Sequence, residues 1–345
     1  MQANRKTKIV ATLGPSSSSE EMIRKLAVAG VDVFRLNFSH GNYETHKNNA
    51  NLIRRTENSL DKKLKIMMDL QGPKIRIGAF EDKSVSLKTG AKFILDITQR
   101  PGDSTRVSLP HPEIFSSLRP GTELLLDDGK LKLEVCSNNG SVMETKVIVG
   151  GVLSSNKGVN IPNAALPISS LTDKDKNDIT TIKEIDADWL AVSFIQTAED
   201  IKQARKFVGD NNISILAKIE KPSAVENIDS IIEAADIIMA ARGDLGVELP
   251  YESIPGIQNM IVSKAKFYKK PVVVATHMLE SMTRCPVPTR AEVSDVAYAV
   301  AQGADAVMLS AETASGLYPE QAVQAMNKIV VRAEKDKITF GNFQG

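Results

Sequence analysis

The sequence predicts an α/β protein: a (β/α)8 TIM barrel with a small all-β barrel domain inserted after strand 3. Three observations predict it. Eight short apolar runs alternate with helical segments, every second run opens on one shared signature, and one long block replaces the alternation with short strands and hairpin dipeptides.

The eight runs are KIVATLGP (8–15), VFRLNFSHG (33–41), LKIMMDLQG (64–72), WLAVSFI (189–195), ISILAKIE (213–220), DIIMAARGD (236–244), PVVVATHM (271–278) and DAVMLSAE (305–312). Continuous apolar runs bounded by turn signals suit strands buried on both faces. Between them, EEMIRKLAVAG (20–30) and RAEVSDVAYAVAQG (290–303) space apolar residues by three and four and stop at glycine, as helices do. Strand–helix alternation implies a parallel sheet. The signature is a small residue or aspartate, one further residue, then aspartate: Gly30-Val31-Asp32, Asp186-Ala187-Asp188, Ala234-Ala235-Asp236 and Gly303-Ala304-Asp305, at runs two, four, six and eight. Even/odd alternation over eight strands points to a closed barrel, whose interior layers come from alternate strands.

Residues 73–167 read differently, with alternating short strands and the hairpin dipeptides Asp128-Gly129 and Asn139-Gly140. They are expected to form the inserted lid domain, leaving residues 1–72 and 168–345 as the barrel, a remainder of the usual size of about 250 residues.

Composition narrows the function classes. A net charge of +1 provides no global field for nucleic acid. No apolar run reaches the roughly 20 residues of a membrane span, and the basic start MQANRKTKIVATLGP lacks the apolar core of a secretory signal. Cys136 and Cys285 lack C-x-x-C spacing and read as reduced thiols, so a cytoplasmic location is expected. No P-loop, dinucleotide fingerprint, H-E-x-x-H or nucleophile elbow is present, and His40, His46, His111 and His277 are scattered without metal-ligand spacing.

Polar residues gather at the C-terminal ends of all eight runs: Gly14; Arg35, Asn37, Ser39 and His40; Asp69; Ser193; Lys218 and Glu220; Arg242, Gly243 and Asp244; Thr276 and His277; Ser310 and Glu312. In a barrel these ends form one mouth, where active sites sit. Lys218 and Glu220 alternate on a strand and so face the same way, and inward charge is costly unless it is used or paired. Glu220 and Asp244, completed by waters and substrate oxygens, suit Mg2+, with Lys218 neutralising charge on a transferring phosphoryl group.

The segments ATLGPSS (11–17), FRLNFSHG (34–41), AKIEKPSAVEN (217–227), AARGDLGVELP (240–250), VVVATHMLESM (272–282), PTRAEVSDVAYAV (288–300) and MLSAETASGLYP (308–319) closely resemble pyruvate kinases. DDGKLKLEV (127–135) and NKGVNIP (156–162) resemble that family's mobile lid. The resemblance implies phosphoryl transfer from phosphoenolpyruvate to ADP, giving pyruvate and ATP, with Mg2+ as cofactor (Mn2+ as a substitute). It assigns Arg35 to the substrate phosphate and Lys218 to the transition state. Glu220 and Asp244 fall to Mg2+, and the Gly243 and Asp244 amides and the Thr276 hydroxyl to substrate. Asn37, His40, Arg76 and Lys157 fall to the nucleotide phosphates. Thr276, Ser310 or water could protonate the enolate. Partners other than these small molecules, whether nucleic acid or membrane, are not expected; barrel contacts could make a homodimer.

The sequence departs from the family in three places. Asn37, Ser39, Asp69 and Leu70 hold the family's K+-site positions, but Lys74 stands where many members have glutamate, so activity without K+ is expected. The family's usual C-terminal domain is expected to be absent, and with it sugar-phosphate activation. His277 replaces a common glutamine. Two other readings share the barrel mouth: another Mg2+-dependent pyruvate/enolate enzyme such as an aldolase or lyase, and a non-catalytic metabolite-binding protein.

Overall fold

A computed structural model describes residues 5–162, 169–209 and 212–336. Eight parallel strands close into a barrel: β1 (Lys8–Thr12), β2 (Val33–Asn37), β3 (Lys65–Asp69), β4 (Trp189–Val192), β5 (Ser214–Ile219), β6 (Ile237–Ala241), β7 (Val272–Ala275) and β8 (Ala306–Leu309). Closure is made where β1 pairs with both β2 and β8. Each strand lies inside one of the eight predicted runs. The runs continue past the strands because the residues beyond them keep the polar chemistry of the mouth.

Strand residues alternate between two cores. Val10, Val33, Met67, Leu216, Met239 and Met308 fill the barrel interior, while Ile9, Phe34, Ile66, Ile215 and Val307 face the helices. The predicted helices are present as Glu20–Ala29, ending at Gly30, and Arg290–Gln302, ending at Gly303. The second opens on a capping box in which Thr289 and Glu292 satisfy each other's backbone amides.

The four signature aspartates are not interior layers. Each sits at the entrance of an even strand and accepts the amide of the preceding odd strand: Asp32 from Ile9 at 2.9 Å, Asp188 from Ile66 at 2.8 Å, Asp236 from Ile215 at 2.8 Å and Asp305 from Val272 at 3.0 Å. Each also pairs with a cation, respectively Arg5, Arg54, Arg205 and Lys266. These amides lie at the N-terminal edge of the sheet, and the repeated aspartate gives each of them an acceptor.

Between β3 and β4 the chain forms a six-stranded sheet and a two-stranded ribbon around a separate core that includes Phe93, Phe115, Leu124, Leu133 and Met143. Its strands bury alternate residues, unlike the barrel strands, because one face meets solvent. Both hairpin dipeptides turn where expected, joining Glu123–Leu126 to Leu131–Asn138 and that strand to Val142–Val149. The expected far edge of the insert, at residue 167, lies outside the described residues.

Candidate active site at the barrel mouth

Period-two geometry builds the mouth. Two residues beyond the inward-facing Val10, Val33, Met67, Ala191, Leu216 and Met308 stand Thr12, Arg35, Asp69, Ser193, Lys218 and Ser310. Apolar residues fill the barrel below, and on these six strands the next inward position carries a polar group, while β6 and β7 place Ala241 and Ala275 there.

These groups form one network. Arg35 Nε lies 2.6 Å from Asp69 Oδ2, and its Nη1 donates to Thr12 Oγ1. Lys218 Nζ lies 2.8 Å from Glu220 Oε1 and 3.2 Å from Asp69 Oδ1, and donates to Ser193 Oγ at 2.8 Å. The other Glu220 oxygen accepts the amide of Phe194, a residue held at φ +54°. Asp69 and Glu220 are 1% exposed and Lys218 10%; charge this deep is tolerable only because it is paired.

Burial opposes the charge on Lys218, but Asp69 and Glu220 outweigh it and hold the ammonium above its ordinary range. Burial likewise opposes the charge on Asp69, and Lys218 and Arg35 reverse it, keeping that carboxyl low. Glu220 ends above the ordinary range: burial pushes it up, Lys218 pulls against this, and the charge of Asp244 pushes with it.

Asp244 comes from the short helix Arg242–Glu248 that follows β6. Lys74 Nζ lies 3.7 Å from Asp244 Oδ1. The Gly243 amide donates to Thr276 Oγ1 at 2.6 Å, and a Cβ at Gly243 would lie 3.3 Å from that hydroxyl, tighter than the neighbour would accept unmoved. Thr276 and His277 sit at φ +70° and +53°, a strained setting for a β-branched residue. Arg242 holds that turn, donating to the Thr276 carbonyl at 2.7 Å while pairing with Asp295. A cleft of about 590 Å³ opens here, lined in part by Lys74, Gly243, Asp244, Tyr251 and His277.

The family model described as "Pyruvate kinase, barrel domain" matches residues 4–323. The chain is 50% identical to the pyruvate kinase of Methylorubrum extorquens over 98% of its own length and 70% of that protein. It is 47% identical to one from Agrobacterium vitis (98% and 71%) and 45% identical to that of Haemophilus influenzae (96% and 71%).

The chain belongs to the pyruvate kinase family. It is a phosphotransferase of a glycolytic enzyme family, built on a TIM barrel, and among its described residues no helix is long and apolar enough to cross a membrane.

The residues that pyruvate kinase resemblance assigns to substrate and metal lie together at this mouth. Those it assigns to nucleotide are divided. Asn37 ends β2 and His40 follows it, and Asn37 Oδ1 accepts the Ser39 amide. Arg76 and Lys157 lie side by side on paired segments of the insert, and each has a local partner: Arg76 the Asn156 carbonyl at 3.0 Å, Lys157 the Asp127 carboxylate at 2.7 Å. At the K+-site positions, Asp69 is engaged by Arg35 and Lys218, and the Leu70 carbonyl accepts Ser193 Oγ. Lys74 reaches Asp244 from the start of the insert.

Sequence reasoning missed the supporting shell. Thr12, Lys221 and Glu248 lie within segments that carry the resemblance, but no role was read for them, and only Thr12 had a readable signal, the inward period of β1. For Mg2+ the donors fit. Among the described residues no group of three or more metal-ligating side chains exists. The charge of Asp244 nonetheless reaches Glu220, and both hard carboxylates act on Lys218. Such a pair leaves most of an octahedral ion to water and substrate oxygens, as suits Mg2+.

Proposed function

We propose that the chain transfers the phosphoryl group of phosphoenolpyruvate to ADP, producing pyruvate and ATP, in a Mg2+-dependent reaction at the barrel mouth. The observation that carries this reading is the Lys218 ammonium placed between Asp69 and Glu220, with Asp244 in electrostatic range. Glu220 and Asp244 would hold the ion, which when bound withdraws charge from substrate oxygens as a Lewis acid.

A β-phosphate oxygen of ADP attacks phosphorus in line, the bond to the enol oxygen breaks, and the released enolate takes a proton at carbon. Lys218 and Arg35 stabilise charge on the transferring group, fixed in place beforehand by Asp69. The Asp244 and Gly243 amides and the Thr276 hydroxyl meet the substrate carboxylate end. Asn37, His40, Arg76 and Lys157 serve the nucleotide phosphates, with Lys157 exchanging Asp127 for phosphate oxygen. Thr276, Ser310 or water supplies the proton to the enolate. The insert over the mouth limits water, which would otherwise consume the phosphoryl group.

The mouth also supports independence from K+. Three cations, Arg35, Lys74 and Lys218, face three carboxylates, Asp69, Glu220 and Asp244. A lysine in place of glutamate adds more positive charge than one K+ would. A coupled lactate dehydrogenase assay with phosphoenolpyruvate, ADP and Mg2+ should show turnover, equal in potassium, sodium and tetramethylammonium buffers. No pyruvate formation refutes the activity, and a tenfold loss without K+ refutes the independence. Lys74→Glu should create a K+ requirement.

A further inference from the structure

The Glu248 side chain is 1% exposed, at the end of the helix that carries Gly243 and Asp244. One of its oxygens, Oε1, accepts two donors: Lys221 Nζ at 2.7 Å and Asn160 Nδ2 at 2.8 Å. Three separate parts of the molecule therefore meet at one atom. Asn160 belongs to the insert, on the strand Val159–Asn160 that pairs with Glu123–Leu126. Lys221 directly follows Glu220 and holds its ammonium 5.9 Å from the centre of the Phe194 ring, whose backbone amide donates to Glu220. The helix itself positions Asp244.

Further contacts run along the same helix. The hairpin tip of the insert approaches it at Gly129, where a Cβ would lie 3.8 Å from Val247. Lys74, at the start of the insert, reaches Asp244. Insert and metal-carrying helix thus touch at several points, and the buried one is Glu248. A buried carboxyl group needs its partners, and releasing either donor leaves a desolvated polar group behind.

We propose that Glu248 is a positioning residue: a latch that fixes the angle of the insert over the mouth and couples it to the placement of Asp244 beside Glu220. This rests on the reading that ADP binds between insert and barrel. Losing the Asn160 bond frees the insert while leaving Glu248 paired with Lys221, so ADP binding should suffer and the phosphoenolpyruvate side should not.

The chain carries two cysteines, Cys136 on the insert and Cys285 on the barrel, both exposed. Spin labels on them report the insert–barrel distance by double electron–electron resonance without added mutations. Asn160→Ala should broaden or shift that distribution. It should raise KM for ADP about tenfold, with kcat and KM for phosphoenolpyruvate within about twofold of wild type. Glu248→Gln keeps an acceptor for Asn160 and should retain the wild-type distribution. An unchanged distribution in Asn160→Ala overturns the latch, and a changed distribution with unchanged KM for ADP overturns its role in nucleotide binding. If the wild type shows no turnover, the functional reading fails while the distance measurement still decides the latch.

Discussion

At the N-terminal ends of the barrel strands, each of four aspartates has its own backbone amide and its own cation. At the C-terminal ends, Asp69, Glu220 and Asp244 divide Arg35, Lys218 and Lys74 among them, and Lys218 serves two carboxylates at once. The same eight strands therefore dispose of charge in two ways. At the bottom every aspartate is held by a backbone amide as well as a cation, and Arg54 also spans Glu57 and Asp186, which stabilises the fold. The mouth instead keeps carboxylates whose charges act against each other, a condition a divalent cation relieves. Conserving foldedness and conserving chemistry thus make separate demands on opposite ends of one sheet.

The largest expected effect lies at the mouth. Lys218→Met should lower phosphoryl transfer by about 10³-fold or more, with Mn2+ affinity nearly intact, as measured by the coupled assay and a metal titration. Surviving turnover would remove Lys218 from the chemistry. The converse substitution, Asp188→Ala at the bottom, removes the acceptor for Ile66 and the partner of Arg54. It should cost about 1–3 kcal/mol of stability, seen as a drop of several degrees in Tm, and leave kcat/KM within about twofold. Loss of activity without loss of Tm would erase the distinction between the two ends.

A smaller effect distinguishes the ends by pH. Near the bottom, Glu334 accepts the amides of Lys6 and Thr7. Burial opposes its charge, but these bonds and Arg5 hold its carboxyl below the ordinary range. Its contribution is complete above the unfolded value near pH 4.5 and fades as pH falls through the lower folded value. At the mouth, burial pushes Glu312 up, against the amides of Leu279 and Ser310. Its contribution is complete in acid and fades as pH rises through the raised folded value. Urea midpoints should therefore show Glu334→Gln approaching wild type as pH falls, and Glu312→Gln gaining on wild type as pH rises. Parallel slopes would contradict the assignment.

Much of this was legible in the sequence. The barrel strands are buried on both faces, so their apolar runs stand out, and the period of two that places Leu216 inside the barrel carries Lys218 into its mouth. The insert was legible because its strands expose one face and turn at Asp128-Gly129 and Asn139-Gly140. The repeated aspartate was visible, but its work was not: a bond to an amide near the start of the neighbouring strand depends on pairing, which no local pattern encodes. Glu248 was invisible for a similar reason. It reads as an ordinary helical glutamate, and its partner Asn160 lies 88 residues away.

Mn2+ titrations followed by electron paramagnetic resonance test the shared metal site most directly. Glu220→Gln and Asp244→Asn should each weaken Mn2+ binding by about tenfold or more relative to wild type. Wild-type affinity in both variants would contradict a divalent ion held between these two carboxylates.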